Sequence, residues 1–135
     1  MKKFVLDTNI CIYLIKKKPE EVLARLIECE PGSVSISTIT QAELEYGVNK
    51  SASVVKNKQA LQKLFRSLEI LSFDKPAAEC YGRIKAELER RGQPIGNMDC
   101  MIAGHALSLD ATLVSNNVRE FSRVRGLRLE NWCNK

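Results

Sequence analysis

The sequence holds a single histidine, His105, and five cysteines, Cys11, Cys29, Cys80, Cys100 and Cys133, with no CxxC pair among them. A tetrahedral zinc site needs clustered Cys or His donors, so zinc chemistry has no foothold here. An odd set of scattered cysteines also fits no disulfide framework, and such residues pack as small apolar groups in a reducing compartment. Seven Gly and four Pro in 135 residues are too few for a fibrous or low-complexity chain. No apolar run is long enough to cross a bilayer. The start, Met1-Lys2-Lys3, is basic, but the apolar run behind it stops at Asp7, which is short for a secretory leader, so a cytoplasmic protein is expected. What the chain does have is 44% hydrophobic and 27% charged residues, the balance of one globular domain over residues 1–135. Lys and Arg number 21 against 16 acids, a net charge of +5 that accommodates a polyanionic partner without requiring one.

Two periodicities alternate along the chain. Phe4-Val5-Leu6 is a short apolar run typical of a buried strand, and Val34-Ser35-Ile36-Ser37 alternates with β-branched residues. Residues 69–73 and 112–115 read the same way, and Leu127-Arg128-Leu129 is a weaker fifth strand. Between them residues 20–29, 54–68, 77–88 and 97–107 carry apolar residues at helical spacing. Strands alternating with helices imply right-handed crossovers and a mostly parallel central sheet of four to five strands, covered by helices on both faces in an α/β/α sandwich.

In such sheets ligands bind beyond the carboxyl ends of the strands, and three acids fall near that edge. Asp7 directly follows the first strand; it reads either as the N-cap of a helix over Ile10–Ile15 or as a cation ligand. Glu43 follows the second strand in Thr40-Gln41-Ala42-Glu43, which also matches a capping box in which Glu43 reaches back to the Thr40 amide. Gly47, one turn on, would leave room beside that carboxylate. Asp99 shares a helical face with Ile102, Ala103 and Ala106, the face expected to be buried. The turn Ser115-Asn116-Asn117 and then Glu120 follow the fourth strand. Carboxylates gathered at one edge repel, and a divalent cation removes the repulsion; oxygen donors favour Mg²⁺ or Mn²⁺.

Asp7-Thr8-Asn9, the Thr-led helix with Glu43, Asp99 in Gly-Asn-Met-Asp-Cys-Met-Ile-Ala-Gly-His-Ala, and Ser115-Asn116-Asn117 together resemble the motifs of PIN-domain ribonucleases. Over its whole length the sequence is similar to the VapC toxins of type II toxin–antitoxin pairs. Leu6–Ile12, Arg91-Gly92-Gln93-Pro94-Ile95-Gly96 and Asn116–Phe121 look most like the branch that cleaves initiator tRNA. The resemblance implies a PIN-like fold, a metal held by Asp7 and Asp99, and Glu43 as the third acid. Where the family often has a further Asp this chain has Asn117, with Glu120 three residues later, which leaves one and two metals both open.

The chemistry expected is metal-dependent hydrolysis of RNA phosphodiesters, with Glu43 or Glu120 as second ligand or proton acceptor and Thr8, Asn9, Ser115 and Asn117 supporting the ligands. Arg119 and Arg123 are the cations best placed for RNA phosphates. His105 lies six residues past Asp99 and turns away from its helical face, the position of a packing residue. The resemblance further implies a cognate VapB-like antitoxin whose C-terminal segment blocks the acidic pocket, and a homodimer. An apolar groove between the helices over Pro19–Cys29 and Val54–Leu68 would suit such a docking helix. Two other readings stay open: a catalytically weak RNA-binding module, suggested by Asn117, and a phosphotransfer domain with Asp7 as nucleophile.

Overall fold

Three apolar residues, Phe4–Leu6, form strand β1 at the centre of the sheet in the computed structural model, which describes residues 1–133. All three are buried because helices cover both faces. Helices α1 (Thr8–Lys16) and α2 (Glu20–Glu28) follow, then β2 (Val34–Ser37), α3 (Thr38–Lys50), α4 (Val54–Phe65) and β3 (Glu69–Leu71). The second half runs through α5 (Lys75–Arg90), α6 (Asn97–Ser108), β4 (Thr112–Val114), α7 (Val118–Phe121) and β5 (Leu129–Glu130). The sheet order is β3-β2-β1-β4-β5, and every pairing is parallel.

Side-chain alternation divides the core into two layers. Phe4 and Leu6 enter one layer with Ile36, Val114 and α1, α2 and α4, whereas Val5 and Leu113 enter the other with α5, α6 and Phe121. Registers Val5↔Leu113 and Leu6↔Val114 keep each pair on a common face. Trp132 is wholly buried, with its ring edge-on to Phe4 at 5.4 Å between centroids.

The expected strands over residues 4–6 and 34–37 form with those bounds, and the third and fourth are shorter than the apolar runs suggested. The fifth shifts from 127–129 to Leu129–Glu130, because the register with β4 pairs Leu113 with Leu129 and Val114 with Glu130. No helix among the described residues is long and apolar enough to cross a membrane.

The small-residue character of α6 has a packing cause. A Cβ on Gly104 would lie 2.8 Å from the Tyr81 backbone nitrogen of α5 and 3.3 Å from the Ala77 carbonyl. Gly104→Ala should therefore force apart the two helices that carry Asp99 and its support, costing about 2 kcal/mol in chemical denaturation, the usual range for overpacking.

Candidate active site

Strand order reverses beside β1: the chain moves outward through β2 and β3, then returns to lay β4 and β5 on the other side. A crevice opens at such a reversal, outside the carboxyl ends of the two neighbouring strands. Here those ends are Asp7 after β1 and Ser115 after β4, joined by the Asp7 amide donating to the Val114 carbonyl at 2.9 Å.

Asp7 serves both purposes read from its position. Its Oδ1 accepts the Thr8 amide at 2.8 Å as the N-cap of α1. Its Oδ2 accepts the Ser115 hydroxyl at 2.7 Å, and the Ser115 Oγ in turn accepts the Asn117 amide at 2.9 Å. The residue is 4% exposed. Burial pushes its carboxyl above the ordinary range, the bonds from Ser115 and Thr8 pull it back, and the charge of Glu43 pushes it up again.

Glu43 does not close a capping box. Helix α3 starts one turn earlier than Thr40 because Ser37, the last residue of β2, is its N-cap and accepts the Ile39 amide at 3.0 Å. Thr40 therefore sits inside the first turn with its Oγ1 buried and without a partner, and Glu43 Oε1 instead accepts the Thr8 hydroxyl at 2.5 Å. The two residues after β1 thus supply one acid, Asp7, and hold a second, Glu43, by the Thr8 hydroxyl.

Asp99 is the third residue of α6, half-buried, with Ile102, Ala103 and Ala106 buried on its helical face. Its carboxyl is raised to about 6, by burial first and then by the charges of Asp7, Glu120 and Glu43 in that order. Glu120, half-buried on α7, reaches this field from the segment that follows β4. The charges of three acids from other parts of the chain therefore reach Asp99, and that of Glu43 also reaches Asp7. Among the described residues no Lys or Arg forms an ion pair with any of them.

The donor set fits a hard divalent cation. It consists of carboxylate oxygens, with no thiol in its hydrogen bonds and the one imidazole elsewhere. Among the described residues no group of three Asp, Glu, His or Cys side chains is gathered tightly enough to hold a metal ion.

The remaining sequence candidates fall at the rim or away from it. Asn9 and Arg119 are exposed. Arg123 is half-buried, and its Nη1 donates to the Pro94 carbonyl at 3.0 Å. His105 is buried against the Phe73 ring at 5.6 Å between centroids, neither ring nitrogen has a partner among the described residues, and burial lowers its basicity. Tyr13, which sequence reading passed over, accepts a bond from Asn116 Nδ2 at 2.8 Å and fixes the loop after β4 to α1. An apolar stripe hides such a phenol, since Tyr13 reads as one more core residue of α1. Beside Glu43 a largely apolar cleft of about 470 Å³ runs between α1, α3 and α4 past Gly47, where an added Cβ would meet nothing within 4 Å, the room its spacing suggested.

The PIN domain model matches residues 4–127, and the chain belongs to that family. It is 46% identical over 133 residues to the tRNA(fMet)-specific endonuclease VapC of Salmonella typhimurium, covering 98% of this chain and 100% of that protein. It is 43% identical over 130 residues to Ribonuclease VapC2 of Rickettsia felis, covering 96% and 97%. The VapBC structure from Salmonella typhimurium, solved bound to DNA, matches with a TM-score of 0.93 at 46% identity over 98% of this chain and 100% of that one. These relatives place the chain in the VapC group of PIN-domain proteins.

Proposed function

We propose that the protein is a Mg²⁺-dependent endoribonuclease, the toxin of a toxin–antitoxin pair, and that its substrate is tRNA, with the anticodon loop of initiator tRNA as its target. The observation that carries the reading is the placement of acids after β1 (Asp7), on α3 (Glu43) and on α7 (Glu120) close enough for their charges to reach Asp99 on α6, with no Lys or Arg paired to any of them among the described residues. The substrate rests on the name of the Salmonella relative, and the restraining antitoxin on the solved VapBC complexes. A cytoplasmic homodimer completes the proposal.

In this reading Asp7 and Asp99 hold the cation. Mg²⁺, or Mn²⁺ in its place, supplies charge neutralisation at the phosphate and acidifies water. Ser115 fixes the direction of the Asp7 carboxylate, and Asn117 fixes Ser115 through its amide. Thr8 holds Glu43 in place. Glu120, whose carboxylate accepts no hydrogen bond from the described residues, takes a proton from the attacking water. Arg119, exposed on α7 beside Glu120, contacts phosphate. Phosphotransfer through Asp7 is disfavoured because such sites usually carry a second acid two residues after the nucleophile, and Asn9 stands there.

Purified protein incubated with total tRNA and Mg²⁺ should produce cuts at one anticodon-loop position, mapped by end sequencing, and EDTA should stop them. RNA bound but left intact in excess Mg²⁺ and Mn²⁺ would instead mark a binding module. Thr8→Val removes the hydroxyl that Glu43 accepts and keeps the side chain's shape. Cleavage should fall about tenfold, the lower range for losing a supporting bond at a metal site. Unchanged single-turnover rates would remove Glu43 from the mechanism.

A further inference from the structure

Two arginines form a reciprocal clasp that the proposed chemistry does not use. Arg91, the C-cap of α5, donates from Nη2 to the main-chain carbonyl of Arg123. Arg123 returns a bond from Nη1 to the Pro94 carbonyl at 3.0 Å, three residues beyond Arg91. Behind them Glu87 Oε1 lies 3.7 Å from Arg91 Nε and 3.6 Å from Arg125 Nε, ion-pair distances at which neither Glu87 Oε1 nor Arg91 Nε has a hydrogen-bond partner among the described residues. The two ends of the clasp lead to two different acids. Pro94 precedes Gly96, the N-cap of α6, and a Cβ on Gly96 would lie 3.8 Å from Asp99 Oδ2. The Arg123 amide donates to the Glu120 carbonyl at 3.1 Å, tying the Arg123 main chain to the helix that carries Glu120.

We infer that Arg123 is a positioning residue which, with Arg91, straps the loop before α6 to the turn after α7 and so sets how Asp99 stands relative to Glu120. This goes beyond the nuclease reading but rests on it for the purpose of the strap. It also gives Arg123 a role other than the RNA contact its sequence position suggests. Gly96 offers α6 no side-chain cap, so the first turn of that helix depends on what holds the loop before it. Charged donors on carbonyls are among the stronger hydrogen bonds, and a carbonyl held this way fixes the loop as an uncharged contact would not.

The test compares wild type with Arg123→Gln, Arg123→Lys and Arg119→Gln by three measurements. Hydrogen exchange over residues 94–101 should accelerate about tenfold in Arg123→Gln, the effect of removing one bond of about 1.4 kcal/mol, and less in Arg123→Lys, which keeps a donor. Mn²⁺ affinity, by titration calorimetry, should weaken about tenfold in Arg123→Gln, as for other supporting bonds around a metal. RNA affinity in EDTA, by fluorescence anisotropy, should stay within twofold for Arg123→Gln and fall for Arg119→Gln. Exchange at 94–101 equal to wild type overturns the strap. So does a loss of RNA affinity in Arg123→Gln with Mn²⁺ binding intact, since that describes a phosphate contact. If wild type binds Mn²⁺ but cuts no RNA, the nuclease reading fails while accelerated exchange and weakened Mn²⁺ binding still uphold the strap. If wild type binds no Mn²⁺, the purpose assigned to the strap fails with the metal.

Discussion

Asp7→Asn should lower RNA cleavage by at least about a thousandfold, the scale of losing a group that fixes charge stabilisation at the reacting phosphate. The same change should leave the fold intact. Asparagine keeps a carbonyl oxygen for the Thr8 amide, so the cap of α1 survives, and its amide faces the Ser115 hydroxyl. It also removes a buried negative charge whose carboxyl burial already pushes upward, so metal-free stability should be equal or higher. The pairing of lost activity with undiminished melting temperature is the informative result. Lost activity with a collapsed fold would return Asp7 to a purely structural cap.

Asp99→Asn should abolish cleavage on the same scale, and here the stability effect has a pH signature. The Asp99 carboxyl is raised from 3.8 to about 6, by burial first and then by the charges of Asp7, Glu120 and Glu43. A raised acid binds its proton more tightly in the folded state than in the unfolded chain. Between these values the folded protein holds more protons, so stability falls as pH climbs through the window and stays reduced above it. Because the group is only half-buried, solvent screening reduces the effect to roughly 1 kcal/mol, or about 4 °C in melting temperature for a chain of this size. In EDTA, wild type should melt lower at pH 7 than Asp99→Asn, and the gap should close near pH 4. Adding Mg²⁺ at neutral pH should raise wild type and leave the variant unmoved, since only a folded state that binds the ion gains from it. A variant that melts lower than wild type at pH 7 would mean that Asp99 is held by favourable contacts, not by a vacant cation site.

The sequence was most informative where local rules and global position agree. Phe4-Val5-Leu6 and Val34–Ser37 are short, apolar and sharply bounded, and they form strands with those limits. Asp99 stood out because an acid occupied the apolar face of its own helix, a conflict that propensity alone leaves unexplained. Glu43 was harder. Thr40-Gln41-Ala42-Glu43 satisfies the capping-box pattern, yet Ser37 caps α3 first, because the strand runs into the helix without a loop. A local pattern cannot register a competing hydroxyl 35 residues away, and Thr8 is that competitor. Arg123 shows the same limit. Its nearness to the acids suggested phosphate binding, whereas its bond to Pro94 spans 29 residues that no local motif connects. The edge strand β5 was misplaced because its ladder with β4 pairs Leu129 and Glu130, with Arg128 adding one carbonyl, and leaves Leu127 outside.

The central claim is that Asp7 and Asp99 together hold one divalent ion. The most direct measurement is anomalous diffraction from crystals of the protein soaked in Mn²⁺, with Asp99→Asn crystals soaked in parallel. One peak within about 2.5 Å of an oxygen of both Asp7 and Asp99 in wild type, absent from the variant, is the result predicted. A peak bound elsewhere, or none at saturating Mn²⁺ in crystals whose carboxyl edge is open to solvent, would contradict it.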